Sequence, residues 1–159
     1  MTKRTVLKAI LAALQAEMQA HVRAANSARA EATDEQSRAE NKYDTRGLEA
    51  SYLAAGQARQ VADLKAAIAT FGSLPARKFA PDEAIGLGAI VEMEQGKERA
   101  YYFLGPCAGG TEAVCGRQSV LVITPQSPLG RQLQGRKEGE WLEVDFAGAR
   151  RRMRVVSVR

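Results

Sequence analysis

Residues 32–46, ATDEQSRAENKYDTR, carry the carboxylates Asp34, Glu35, Glu40 and Asp44 in a stretch with no glycine or proline. An alanine-rich helical pattern runs on either side of it. A charged run between two helices is ordinarily a solvated turn. Carboxylates are also hard oxygen donors. Other chemistries are closed off by what the chain lacks. His21 is the single histidine, so neither a histidine-based triad nor a multi-histidine metal site can be assembled. Cys107 and Cys115 do not have the spacing of a zinc pattern, and two cysteines make no disulfide framework. They are expected to be buried or half-buried free thiols.

The elements that must position the acids can be read from the hydrophobic period. Leu7, Leu11, Leu14, Met18, His21, Ala25, Ala28 and Ala32 recur at alternating steps of four and three, the seam of a helix that packs along a partner. Thr2 or Thr5 can cap its start. Ala54, Gln57, Val61, Leu64, Ile68 and Phe71 repeat the steps in a second run. The two seams predict an antiparallel helical hairpin over residues 1–79. Its turn falls at or near ATDEQSRAEN, and its far end is slender because the seam residues there are small. His21 is expected as a packed or edge-exposed imidazole within the seam.

Near FGSLPARKFAPDEAIGLG, residues 71–88, the composition changes, and a boundary is placed at about residue 79. Beyond it, GAIVEME, RAYYFLG, SVLVITP, EWLEVDFAG and RRMRVVSVR read as strands. Gly96-Lys97 and Gly148-Ala149 suggest hairpin turns. Between the third and fourth of these strands, Leu129 and Leu133 followed by Gly135 suggest a short helix with a glycine C-cap. The fold class is α+β: a helical hairpin followed by a small, mainly antiparallel β domain, residues 80–159, carrying one short helix.

With 159 residues, 45% hydrophobic and 26% charged, the chain has the composition of an ordinary soluble protein. No stretch approaches the roughly 18 uncharged apolar residues of a membrane span. The basic, then apolar, N-terminus continues as helix past Glu17 without a cleavage site, so it is not taken for a secretory signal. The cytoplasm is the expected location. A net charge of +5 is compatible with a nucleic-acid-associated partner.

The stretch VLVITPQSPLGRQLQGRKEGEWLEV, residues 120–144, resembles the C-terminal domain of the bacterial Gre transcript-cleavage factors, GreA and GreB. It has the family's strand, its Ser-Pro-Leu-Gly-Arg, its short helix and its glycine turn into a strand. The first half is similar to the family's helical hairpin, with ENKYD near the tip and SYLAAGQARQVADLKAAI as the returning helix. The resemblance covers nearly the whole chain in the same domain order.

The resemblance implies an FKBP-like C-terminal domain that docks at the mouth of the secondary channel of bacterial RNA polymerase, and a coiled coil that enters the channel. Thr124, Pro125, Gln126, Ser127, Pro128, Leu129 and Arg131 are then the polymerase-binding residues, with Pro128 and Leu129 as the exposed apolar contact. By the same resemblance the tip carboxylates Asp34, Glu35 and Glu40 would assist the polymerase in cutting its own backtracked RNA. Glu40 and Asp34 would share a magnesium held only within the complex, and magnesium takes carboxylate oxygens while keeping water. No cofactor is bound to the chain alone, and it is not an independent enzyme. The partners are the polymerase and, within that complex, the RNA 3′ end; no sequence-specific DNA binding and no membrane are implied.

The sequence departs from the family at one telling position. Glu40-Asn41 matches the tip, but the family's preceding Asp falls on Ser37, and Arg38 adds a positive charge beside it. A non-cleaving regulator of the secondary channel is therefore the alternative. An FKBP-like prolyl isomerase would need an aromatic-lined pocket. Tyr101, Tyr102 and Phe103 are adjacent and cannot all face one side of a strand. A plain coiled-coil scaffold leaves SPLGRQLQGRKEGE unexplained. The basic run ARRRMR, residues 149–154, reads as a solvated face or a protected edge.

Overall fold

The computed structural model describes residues 1–33, 46–80, 82–146 and 149–159. Two long helices come first, α1 (Lys3–Thr33) and α2 (Arg46–Ser73). The Thr2 hydroxyl caps α1 by accepting the Thr5 N–H at 3.2 Å. Every member of the first seam from Leu7 to Ala28, and every member of the second from Ala54 to Phe71, is buried or half-buried. Residues 34–45, which include all but the first two positions of the expected turn ATDEQSRAEN, lie outside the described residues.

By packing, the described chain divides into one unit of residues 14–68 and one of residues 1–13 with 69–159. In the first, His21 and Gln57 join the two seams by a hydrogen bond between Nδ1 and Oε1. The imidazole is half-buried, with its Nε2 3.9 Å from Glu17. This is the packed seam histidine that the spacing suggested.

The second unit is built on a sheet of six strands: β1 (Ile90–Gln95), β2 (Glu98–Leu104), β3 (Glu112–Cys115), β4 (Gln118–Ile123), β5 (Trp141–Phe146) and β6 (Ala149–Val158), with α3 (Pro128–Leu133) between β4 and β5. Their spatial order is β3-β4-β2-β1-β6-β5. Four of the five pairings are antiparallel, and β2 with β4 is parallel. That parallel pair follows from β3, which the sequence reading did not find. The chain leaves β2, lays β3 on the outer side, and hairpins back so that β4 runs alongside β2. EAVC is too short to show a period, and its Val114 is 72% exposed. The Gly96-Lys97 hairpin forms as expected, with Gly96 at φ 61° where a side chain would be strained. ARRRMR lies on β6, an inner strand rather than an edge.

Alternation gives each sheet face its own contents. One face carries Val91, Met93, Leu104, Ile123, Leu142, Val144 and Val155, packed with Phe79, Ile85 and Leu133 as the main core. The other carries Phe103, whose ring meets Phe71 of α2 at 6.0 Å between centroids. Gly105 makes room for Phe71, since a Cβ there would lie 2.9 Å from its ring.

A bulge in the β1–β6 pairing after Glu92 sets Ser157 opposite Glu92 on this second face. Glu92 is 4% exposed. Its carboxylate accepts from Arg99 at 2.6 Å, from Ser157 at 3.1 Å and from Arg159 at 3.2 Å, with Tyr101 at 3.4 Å. A buried carboxylate is tolerated because each oxygen has donors.

Candidate functional site

The stretch from Thr124 to Gly135 is a turn locked onto a one-and-a-half-turn helix. Ser127 is the N-cap of α3 and Pro128 opens the helix, where its missing N–H costs nothing. The Ser127 hydroxyl accepts the Gly130 N–H at 3.0 Å and donates to the Thr124 carbonyl at 2.8 Å. The Ser127 N–H donates to the same carbonyl at 3.0 Å. The helix ends as expected, with Gly135 just beyond it at φ 82° and its N–H donated to the Ile85 carbonyl at 2.9 Å.

Gly130 sets the tightness of this turn. A Cβ on it would come within 1.9 Å of the Thr124 carbonyl oxygen, so any other residue forces the turn open. The sequence reading passed over this glycine. The available signal was a glycine inside a helix as short as PLGRQL, where close backbone approach is a usual reason.

The residues singled out in this loop do not share one environment. Gln126, Pro128 and Arg131 are exposed, while Thr124, Pro125 and Ser127 are half-buried. Leu129 departs from its expected place as an exposed apolar contact: it is half-buried and packs against the main core. The helix turns its side chain inward, which a linear reading of SPLGR does not reveal.

Beside α3 lies a concavity of about 500 Å³. Pro128 and Leu129 form one side, and Tyr102, Leu121, Val144 and Met153 of the strands form its floor. Burial raises the Tyr102 hydroxyl pKa above its ordinary value. Tyr102 is the one aromatic ring in this lining. Tyr101 points to the other face, towards Glu92. The adjacent aromatics therefore do divide between the faces.

Asp34, Glu35 and Glu40 lie outside the described residues, as do Ser37 and Arg38. Among the described residues no three histidine, cysteine or acidic side chains gather as a metal group. Cys107 and Cys115 are half-buried free thiols, as anticipated, and burial raises the pKa of both. On the β5–β6 ribbon, the Arg152 guanidinium lies over the Trp141 ring at 4.6 Å. Among the described residues no helix is long and apolar enough to cross a membrane.

Two long helices followed by a mixed six-stranded sheet with a capped short helix define an α+β protein. The family model for the GreA/GreB transcription elongation factor C-terminal region matches residues 80–159, half of the chain. The chain belongs to the GreA/GreB family of transcription elongation factors. Among solved structures it is similar to the transcription factor Gfh1, at 25% identity over 95% of this chain and 94% of that one, with a TM-score of 0.40. The GreA factor homolog 1 of Thermus thermophilus is 24% identical over 96% of each chain, at a TM-score of 0.39. A GreA/GreB factor from Nitrosomonas europaea is 21% identical, covering 62% of this chain and 78% of that one, also at 0.39. No curated protein matches the chain.

Proposed function

We infer that the chain is a Gre-type elongation factor that binds bacterial RNA polymerase at the secondary channel and acts on paused or backtracked complexes in the cytoplasm. The family match over residues 80–159 carries this reading. The loop at Thr124–Arg131 supports it. Its backbone is fixed before binding by Ser127, Pro128 and Gly130, which lowers the entropy lost on docking. It presents Gln126, Pro128 and Arg131 outward. In this reading residues 1–79 act as a coiled-coil probe and residues 80–159 as an FKBP-like docking domain.

At the tip, Asp34, Glu35 and Glu40 have the donor chemistry of magnesium ligands, and they would hold it together with the polymerase. That metal would supply charge neutralisation and an oriented water for phosphodiester hydrolysis by the polymerase. Ser37 at the family's acidic position, with Arg38 adjacent, favours a second reading in which the probe occupies the channel without stimulating cleavage.

A backtracked polymerase complex incubated with the chain separates the readings when binding and RNA shortening are scored together. Binding with shortening that is lost in Glu40→Gln supports the cleavage factor. Binding with little shortening, increased by Ser37→Asp, supports the channel regulator. No binding refutes both. Pro128→Ser should weaken binding on the order of tenfold, about 1.4 kcal/mol, with the fold intact.

A further inference from the structure

A second concavity, of about 530 Å³, is bounded by the first turn of α1, the segment 76–79 and the end of β6. Its lining carries Lys3, Arg4, Arg77, Lys78 and Arg159 and no acidic residue. Two of these cations have partners: Arg77 pairs with Glu83 at 2.6 Å and Arg159 with Glu92 at 3.2 Å. Lys3, Arg4 and Lys78 have no ion pair among the described residues.

Lys3 distinguishes this place from an ordinary basic surface. It is 8% exposed, and its Nζ has no hydrogen-bond partner. The ammonium lies 4.4 Å from the centre of the Phe79 ring, and the Arg77 guanidinium lies 4.0 Å from the same ring. A cation–π contact offsets only part of the desolvation of a buried ammonium. A methionine would fill the same space without that cost, so packing gives no reason for a lysine here. Burial and Arg77 together press its pKa down to about 8. The start of α1, a helix of 31 residues, adds to the positive potential. Thr2 satisfies the Thr5 N–H, and the Lys3 and Arg4 amides have no acceptor within the helix.

We propose that this cavity binds a phosphate-bearing anion, held by Lys3, Arg4, Lys78 and the first turn of α1. Several converging cations suit a multiply charged phosphate better than a single carboxylate. The volume falls in the roughly 300–1,000 Å³ range of small-molecule sites. The Lys3 Nζ is sealed from solvent against the Phe79 ring, so its ammonium finds an acceptor on the anion by swinging its end out into the cavity.

Calorimetric titration of the full chain with pyrophosphate, and separately with ADP, tests this. Saturable binding with a Kd below about 1 mM is expected. Lys3→Met should weaken it at least tenfold, roughly the loss of one charge-assisted contact. Arg4→Ala with Lys78→Ala changes exposed residues only and should give a comparable loss. Lys8→Met, an exposed cation of α1 outside the cavity, should leave affinity unchanged. Tighter binding of ADP shows that the cavity also takes a nucleoside, and equal or weaker binding assigns the site to the phosphates alone; either supports the proposal. Absence of saturable binding, or equal weakening by Lys8→Met and Lys3→Met, overturns it. Polymerase takes no part in this experiment, so its failure leaves the elongation-factor reading standing.

Discussion

The sheet face around Glu92 and the cavity around Lys3 bury opposite charges by opposite means. Glu92 lies among donors from β2 and β6, and its carboxylate is satisfied within the fold. Lys3 is nearly as buried and has an aromatic ring but no acceptor. The first arrangement is what folding alone selects, because an ion pair with all its hydrogen bonds made holds three strands in register. The second carries an unmatched cost. A buried charge that the fold leaves unsatisfied is a pointer to something outside the chain.

The strongest way to break this comparison is at Glu92. Glu92→Ala removes the acceptor shared by Arg99, Arg159 and Ser157, and stability should fall by about 2 kcal/mol. That is less than the roughly 3–5 kcal/mol for a wholly buried pair, because both guanidiniums remain half in water. Urea unfolding monitored by circular dichroism measures it. A loss within experimental error would mean that the network contributes nothing.

A smaller effect is expected at the other satisfied polar group, the cap of α3. Ser127→Ala leaves the Gly130 N–H without its acceptor and should cost about 1 kcal/mol. The same denaturation experiment reads it. Weakened polymerase binding at unchanged secondary structure would show that the fixed loop is what docks.

The smallest effect, and opposite in sign, belongs to Lys3. Lys3→Met should leave stability at neutral pH unchanged or raise it by less than about 1 kcal/mol. The pH dependence sharpens the contrast. In the folded chain the Lys3 pKa is lowered from 10.5 to about 8 by burial, then by Arg77, and partly restored by Glu83. Below about pH 8 both folded and unfolded chains carry the proton, so the penalty for the charge is fully present. Between about pH 8 and 10.5 the folded chain has released it and the unfolded chain has not, so stability rises with pH. Arg4, Arg77, Lys78 and Arg159 also line the cavity, and Glu83 pairs with Arg77. The rise is therefore read as the difference between wild type and Lys3→Met. A flat difference would mean that Lys3 has an acceptor after all.

The sequence by itself determined the two long helices, because a heptad seam such as Leu7, Leu11, Leu14 and Met18 is a local pattern that recurs over many turns. It also determined the Gly96-Lys97 hairpin and the glycine end of α3, where residue type and backbone conformation are tied within a few positions. The family was legible for the same reason, in SPLGR and the strands on either side of it. Tertiary structure decided what depends on partners far apart in the chain. The parallel β2–β4 pair needed a third strand too short to have a period. Leu129 turned inward because α3 lies against the core, and Gly130 was required by a carbonyl that only the folded turn brings near. Glu92 found Ser157 and Arg159 across a bulge, while Lys3 was buried beside Phe79 with no hydrogen-bond acceptor for its ammonium. Burial and hydrogen-bond satisfaction are properties of a residue's surroundings in space, and no spacing along the chain encodes them.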